Sequence, residues 1–202
     1  VDADKNAHLI TEGLRGDGAI LVNAEGKRFT DEVGTRDVVS AAENKQTGGY
    51  AWLIIDQSMV DASAVIQGYI NSGYTVTGSD AASLAKEMNV DASALSATIE
   101  TWNKAVEAKS DTEFNRTSFN HQLTGNLYAL TVQPGIHHTM GGLKINTNTE
   151  VINTSGSVIG GLFAAGEVTG GVHGANRLGG NAVADFTVFG RIAGQAAADY
   201  AK

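Results

Sequence analysis

The sequence contains no cysteine, which excludes disulfide bonds, thiolate metal sites and a cysteine nucleophile. Positive charge is also scarce, with 14 basic against 22 acidic residues, and this balance disfavours nucleic acid or an anionic membrane as a partner. No apolar run approaches the ~18 residues of a membrane-spanning helix, so no membrane insertion is expected. What remains is a chain of 202 residues, 42% of them hydrophobic, which suits one or two globular domains. The cellular compartment stays open.

A dinucleotide-binding fingerprint of the type G-x-G-x-x-G is missing as well. The nearest match is Gly16-Asp17-Gly18, where Leu21 stands in place of the third glycine and no strand comes before it. This stretch therefore predicts a turn. The chain begins at Val1 with neither a signal peptide nor a usual domain start, so we expect a fragment of a longer polypeptide.

The stretch from Pro134 to Arg191 holds three of the five histidines and much of the glycine. Within it, residues 158–165 form a short apolar run that predicts a strand, and Gly166-Glu167 follows as a turn presenting one carboxylate. This composition predicts a ligand site.

A helix is predicted from Asn181 to Ala198, because apolar residues recur there near helical spacing. Asn181 is the expected N-cap, since its side-chain oxygen can accept from free amides of the first turn. Gly179-Gly180 precedes it and lets the backbone approach a ligand closely. The positive end of such a helix suits a phosphate, a carboxylate or an electron-rich ring edge.

The remainder of the chain predicts an α+β module. Apolar runs and turn residues predict strands at residues 19–23, 27–29, 50–56, 128–132 and 143–152. Periodicity and capping residues predict helices at residues 35–42, 60–70, 79–88 and 91–108. Residues 111–123 are polar and predict a surface loop.

Four long motifs carry a resemblance to a known family: VNAEGKRFTDEVGTRD, HHTMGG, AAGEVTGGVHGANRLGG and NAVADFTVFGR. They resemble the C-terminal part of the soluble FAD-dependent fumarate reductases of the flavocytochrome c type, in the superfamily of succinate dehydrogenase flavoproteins. The resemblance implies an α+β fold with a clamp (capping) domain at residues 1–138. Residues 139–202 would form the C-terminal strand-helix segment of a Rossmann-like FAD-binding domain whose N-terminal part is absent.

The resemblance also implies a substrate site for fumarate, a short dicarboxylate. Arg177 and His137 would grip one carboxylate, since a guanidinium offers a planar fork to carboxylate oxygens. Thr11 and Glu12 would bind at the second carboxylate, and Gly180 would offer a backbone amide.

Proton transfer would come from Arg36, with Glu12 and Arg15 returning the proton to it. Arginine normally resists deprotonation, because its pKa exceeds ~12. Such an acid therefore requires desolvation and neighbouring cations that penalise its charge. The alternative is that Arg36 only stabilises charge while a water molecule supplies the proton.

The cofactor implied by the resemblance is FAD in the full-length protein, with hydride coming from N5 of the reduced ring. His138 would contact the flavin and Glu167 the ribose. The first turn of the last helix, at Asn181, Ala182 and Val183, would offer amides to the ring edge.

Several of these residues have alternative interpretations in which they do not bind substrate or flavin. His137 and His138 are adjacent, so an extended backbone points them in opposite directions, and no metal site is expected there. His138 could be a hydrogen-bonded structural histidine, and Arg177 could be solvated or paired with a phosphate. His173 could also point into the site, but no role is assigned to it.

Two rival functions stay open. One is a urocanate or other enoate reductase on the same scaffold, and the other is a catalytically inactive isolated fragment. Since the N-terminal nucleotide-binding half would be a missing partner, we expect this fragment alone to be colourless and inactive. The electron donor is not indicated, and the compartment would be a bacterial periplasm or cytoplasm.

Overall fold

The computed structural model describes residues 8–202, which fall into two compact units. The first unit ends at Pro134 and the second comprises Gly135–Lys202. The assignment of these units to a clamp domain and a flavin-domain segment, with a boundary after residue 138, stays a prediction. None of the helices in the described residues is both long enough and apolar enough to span a bilayer.

A four-stranded antiparallel sheet forms the centre of the first unit. Its strands are β1 (Ile20–Val22), β2 (Ala51–Asp56), β3 (Thr75–Gly78) and β4 (Leu127–Val132), and their order across the sheet is β1-β2-β4-β3. Strand β2 is apolar at almost every position because it lies inside the sheet and is buried along most of its length. The predicted strands at 19–23, 50–56 and 128–132 are confirmed, whereas β3 was missed. The predicted partner strand at 27–29 is reduced to one bridge between Val22 and Arg28.

Six helices complete the first unit. They are α1 (Gly13–Asp17), α2 (Arg36–Glu43), α3 (Gln57–Ala62), α4 (Ala64–Asn71), α5 (Ala81–Met88) and α6 (Ala92–Ala108). Asp56, Asp80 and Asp91 cap α3, α5 and α6, each accepting a hydrogen bond from a first-turn amide. The predicted helices at 35–42, 79–88 and 91–108 are confirmed.

The single helix predicted at residues 60–70 is wrong. Ser63 has φ −135° and ψ 110°, which ends α3, and its hydroxyl accepts from the amide of Ile66 to begin α4. A serine that caps the following turn favours a break over a continuous helix, even though the apolar spacing runs through it.

The polar segment at residues 111–123 was predicted as a surface loop, and this is only half right. It has no regular secondary structure, yet Asp111, Arg116 and Leu123 are buried. Arg116 donates to Glu32 at 3.0 Å and Arg28 donates to Asp111 at 2.9 Å, so the charges inside are paired. The segment is polar because it supplies the partners of buried charges.

The second unit contains four short strands and one long helix. They are β5 (Leu143–Lys144), β6 (Glu150–Ile152), β7 (Val158–Phe163), β8 (Thr169–Gly170) and α7 (Asn181–Tyr200). Strand β5 pairs with β8 in parallel, and β6 pairs with β7 in antiparallel fashion. The predicted strand at 158–165 is confirmed as β7.

The single strand predicted at residues 143–152 is wrong, because a turn divides it into β5 and β6. The side-chain oxygen of Asn146 accepts from the amides of Asn148 and Glu150, both at 3.0 Å. Thr149 completes the reversal with φ 65°. Asparagine competes with strand pairing in this way because its side chain mimics a backbone turn.

The helix predicted from Asn181 is confirmed as α7, but its N-cap is Gly180 and Asn181 is the first helical residue. Gly180 has φ 83°, a conformation that favours glycine, and no side chain caps the helix. The role proposed for the Asn181 side-chain oxygen as a cap was therefore wrong.

Candidate functional site

The first unit brings the predicted proton donor and relay residues together. Arg36 begins α2, and Glu12 lies immediately before α1. Nε of Arg36 donates to Oε1 of Glu12 at 2.9 Å, and Nη2 of Arg36 bonds to the same oxygen. The two side chains are 31% and 37% exposed, so the pair stays within reach of solvent or a ligand.

Arg15 lies on α1, three residues after Glu12. Burial lowers the pKa of Arg15, and the charge of Arg36 lowers it further, while the carboxylates of Glu43 and Glu12 oppose both effects. Burial raises the pKa of Glu12, but hydrogen bonding and positive charge from Arg36 outweigh it and hold that pKa below its ordinary value. The cluster thus combines the partly desolvated guanidinium of Arg15 with the ionised carboxylate of Glu12, which is hydrogen-bonded to Arg36.

Glu43 is a residue of this neighbourhood that the sequence analysis missed. It ends α2, seven residues after Arg36 and therefore on the same helical face. Its side chain is buried, and burial raises its pKa although the charge of Arg15 lowers it in part. The signal that could have revealed it is an acidic residue two turns after a predicted catalytic arginine.

In the second unit, His138 is the most enclosed of the predicted flavin contacts. Its side chain is 7% exposed, with Nδ1 3.7 Å from Oε2 of Glu167. Its ring packs edge-on against His173 at a centroid distance of 5.7 Å. Within the described residues its Nε2 is buried and has no hydrogen-bond partner. His137 is exposed, so the two histidines differ in environment, as an alternating backbone predicts.

His173 owes its position to a buried aspartate that the sequence analysis did not identify. Nε2 of His173 lies 3.0 Å from Oδ2 of Asp185, whose side chain is 2% exposed. Asp185 lies on α7, one turn from its start, and is the only buried residue of that helix among those described. The sequence signal that could have identified Asp185 is a charged residue inside an apolar helical pattern.

Arg177 is buried, so the alternative of a solvated arginine was wrong. Its Nη1 donates to the carbonyl of Leu178 at 3.3 Å. Gly180 follows in the left-handed conformation described above. The segment between Arg177 and α7 therefore holds one guanidinium close to a helix N-terminus.

Glu167 lies in a 3-10 turn, Gly166–Val168, and its Oε1 accepts from the amide of Thr139 at 3.1 Å. Its side chain is 55% exposed, which leaves acceptor capacity for a hydroxyl group. At the start of α7 the amide of Val183 donates to the carbonyl of Gly180 at 3.0 Å. The amide of Ala182 has no such partner in the described part of the chain, so it is the better placed of the two to meet a ligand.

These features fit a flavin in two respects. A buried imidazole nitrogen at His138 calls for a partner, because leaving a buried polar atom unsatisfied is costly. The open amide of Ala182 at the positive end of a 20-residue helix suits a ring edge that gains negative charge on reduction. No group of three histidine or acidic side chains in residues 8–202 has a geometry suited to a metal ion.

Each unit therefore holds one part of the predicted machinery. The first unit contains the proton-transfer candidates Glu12, Arg15 and Arg36, with Thr11 directly before Glu12. The second unit contains the carboxylate and flavin candidates, which are His137, His138, Glu167, Arg177, Gly180, Asn181, Ala182 and Val183.

Residues 1–183 match the FAD binding domain family. A fumarate reductase (cytochrome) from Shewanella frigidimarina is 50% identical over 199 residues, which are 98% of this chain and 35% of that protein. A urocanate reductase from Eggerthella lenta is 39% identical over 188 residues, which are 89% of this chain and 31% of that protein.

Among solved structures, the open conformation of a flavocytochrome c3 fumarate reductase aligns with a TM-score of 0.72 and 46% identity. The alignment covers 96% of this chain and 34% of that one. The chain thus spans about a third of the length of these relatives.

Proposed function

Since this chain belongs to the FAD binding domain family, we propose that it supplies part of a flavin-dependent fumarate reductase that forms succinate. The observation that carries the proposal is the hydrogen-bonded pair of Arg36 and Glu12 beside the partly desolvated Arg15. Reduction of an activated alkene requires a hydride on one carbon and a proton on the other. The pair has the composition of a proton donor with its relay.

In this proposal Arg36 gives a proton from its guanidinium to the substrate carbon, and Glu12 and Arg15 return one to it. The contact between Arg36 and Glu12 supports the first step of the return, because a proton moves readily along an existing hydrogen bond. The lowered pKa of Arg15 makes it a better proton donor to Glu12 than an ordinary arginine.

We propose that the substrate carboxylates are held by the residues that the family motifs imply. Arg177 and His137 would bind one carboxylate together with the amide of Gly180, and Thr11 and Glu12 would lie at the other. Glu12 is anionic, so we assign it the relay and Thr11 the contact with the carboxylate. The buried Arg177 supports this role, since a desolvated guanidinium binds a carboxylate more strongly than an exposed one.

FAD, when bound, supplies the hydride from N5 of its reduced ring. We propose that His138 contacts this ring through Nε2 and that Glu167 accepts from the ribose. The amide of Ala182 would stabilise negative charge on the reduced ring, with Asn181 and Val183 forming the rest of the turn. Because the chain lacks the G-x-G-x-x-G fingerprint, we infer that the adenine half of FAD is bound by other parts of the polypeptide.

Fumarate reduction by the complete polypeptide tests the proposal. Arg36→Ala is expected to abolish turnover with a reduced dye while FAD stays bound, because the residue serves the substrate and not the flavin. Arg191→Ala is the matched control, since Arg191 is an exposed arginine on α7. Near-normal turnover of the Arg36 variant would contradict the assignment.

Removing Arg177 tests the carboxylate site. Arg177→Met leaves a substrate carboxylate without its desolvated partner, which costs about 2–5 kcal/mol in the bound state. We expect a large rise in KM together with a lower kcat, because orientation is lost along with affinity. A variant with normal kinetics and only a lower melting temperature would give Arg177 a purely structural role.

The similarity to a urocanate reductase favours one alternative, an enoate reductase with another substrate. The proposed site has cationic groups at one end and a hydroxyl at the other, which favours a short trans dicarboxylate over an imidazole-bearing acid. Faster reduction of urocanate than of fumarate at equal concentration would select the alternative.

A further inference from the structure

Tyr69 lies far from the proposed catalytic residues in sequence but contacts the segment that carries them. It is on α4, its side chain is buried, and its backbone carbonyl accepts from the amide of Tyr74 at 3.0 Å. Its hydroxyl receives a hydrogen bond from the backbone amide of Thr11 at 3.2 Å. The same hydroxyl donates to the backbone carbonyl of Leu9 at 3.1 Å.

The hydroxyl therefore acts as both donor and acceptor toward this segment. Leu9 and Thr11 are two residues apart, and the one hydroxyl bonds the carbonyl of the first and the amide of the second. That segment has no strand partner, and within residues 8–202 neither backbone group has another hydrogen bond. The Tyr69 hydroxyl therefore fixes the backbone from residue 9 to residue 11.

The ring of Tyr69 adds a second contact to the same segment. His8 packs edge-on against it at a centroid distance of 5.7 Å and also stacks on Tyr74 at 5.0 Å. The backbone before Thr11 is thus held by one aromatic ring contact and two hydrogen bonds from a buried residue.

Beyond Thr11 the segment continues directly into the proposed site. Oγ1 of Thr11 accepts from the amide of Gly13 at 3.2 Å, so the hydroxyl hydrogen of Thr11 points elsewhere and can serve a carboxylate. Glu12 follows, bonded to Arg36. A displacement of the Thr11 backbone would move the hydroxyl and change the approach of Glu12.

We propose that Tyr69 is a positioning residue that sets the substrate-binding segment Thr11–Glu12 through its hydroxyl. The inference rests on the proposed function, since it assigns Tyr69 to the dicarboxylate end of that site. Helix α4 is the rigid support, and the hydroxyl transmits its position to a segment that lacks regular structure. Loss of this support weakens carboxylate binding in the ground state and the transition state alike, which raises KM more than it lowers kcat.

The test compares Tyr69→Phe with Tyr74→Phe in the complete flavoprotein. Each variant removes a single hydroxyl and keeps the ring, and the hydroxyl of Tyr74 makes no hydrogen bond with any described residue. For Tyr69→Phe we expect KM for fumarate to rise about three- to tenfold, the range that the loss of a typical hydrogen bond gives, with kcat within about twofold. Tyr74→Phe should keep both constants.

Hydrogen exchange of the same proteins supplies a readout that does not depend on turnover. Peptides covering residues 8–14 should exchange faster in Tyr69→Phe than in the parent, and at the parent rate in Tyr74→Phe. Unchanged exchange, an unchanged KM or an equal KM rise in both variants would overturn the inference. If the parent does not reduce fumarate, the proposed function fails, while the exchange experiment still decides whether Tyr69 fixes the segment.

Discussion

The two units differ in how they are built. The first unit has a continuous hydrophobic core around β2 and α6, with Ile54, Leu95 and Trp102 fully enclosed. In the second unit the only buried apolar residues among those described are Val151 and Ala164. The first unit has the core of an independent domain, whereas the apolar content of the second is mostly on its surface.

Helix α7 shows the contrast most clearly. Its apolar residues Val183, Phe186 and Val188 are more than half exposed, while its one buried residue is the charged Asp185. The long helix of the first unit, α6, instead buries the apolar residues Leu95, Ile99 and Trp102. Within residues 135–202, most apolar side chains do not contribute to a core. Burial inside this unit therefore does not explain why these positions are apolar.

Truncating the largest buried apolar residue of each unit should give the largest difference in lost stability between the two units. Trp102→Ala should lower the free energy of unfolding of the first unit by about 3–5 kcal/mol, because it empties a site with no exposed surface. It also removes the ring beneath Arg28 and Arg116 and the hydrogen bond to the carbonyl of His121. Val151→Ala in the second unit should cost only about 1–2 kcal/mol, the value of its lost methylene groups.

Urea titration followed by circular dichroism measures both effects. Trp102→Phe is the control, since it keeps an aromatic face for the two guanidinium groups and should lose less stability than the alanine variant. Equal losses in the two units would show that the second is as well packed as the first.

Hydrogen exchange of the unmodified chain should sharpen the same contrast. Amides of β4, a central strand, are expected to open only on global unfolding, whereas amides of the exposed β7 exchange by local opening. We expect the free energies of opening to differ by at least about 2 kcal/mol. Comparable protection of the two strands would show that the two units do not differ in local stability.

Lowering the pH into the acid range should destabilise mainly the first unit. Burial raises the pKa of Asp111, but the hydrogen bond and charge of Arg28 outweigh this effect and lower it below the ordinary value of 3.8. Because the folded-state pKa is depressed, the stabilisation is present above pH ~4 and is lost as the pH falls through the lowered value.

Asp111→Asn is the variant that isolates this ion pair. It should lower stability at neutral pH and flatten the decline below pH ~4, since the group that binds protons on unfolding is gone. Unfolding measured across that range checks the slope. A slope equal to that of the parent would assign the acid sensitivity to other carboxylates, such as Asp56.

The smallest expected effect is a gain in the stability of the first unit. Burial raises the pKa of Glu43, so the stability associated with it is fully present below the ordinary value of 4.5 and declines as the pH rises through the raised value. Glu43→Gln should therefore stabilise the first unit at pH 7 and remove this decline. Glu87→Gln, at an exposed position on α5, is the control and should change little.

Most elements could be predicted from local pattern, and the errors have a common physical origin. The helix at 60–70 and the strand at 143–152 were each divided by a polar side chain, Ser63 or Asn146, that bonds the backbone. Strand β3 has only four residues, Thr75–Gly78, and exists as the edge partner of β4. Hydrophobic spacing does not reveal these local competitions or a pairing partner about 50 residues away.

In the candidate site, too, some residues could be predicted from the sequence and others only from the folded structure. Contiguous motifs named Arg36, Arg177 and His138, because a motif places chemistry-bearing residues close together in sequence. Tyr69 and Asp185 escaped notice because each acts through one contact that only the folded chain creates. Whether the named residues perform the roles proposed for them stays a prediction.

Arg116 joins parts of the chain that are synthesised far apart in time. Its guanidinium donates to the carbonyls of Arg15 at 2.6 Å and Ala19 at 2.9 Å, contacts spanning 101 and 97 residues. A growing chain cannot close them until about a hundred residues after α1 have left the ribosome. The segment that carries Glu12 and Arg15 is thus made about a hundred residues before Arg116, and a nascent chain ending before Arg116 holds that segment without these two hydrogen bonds.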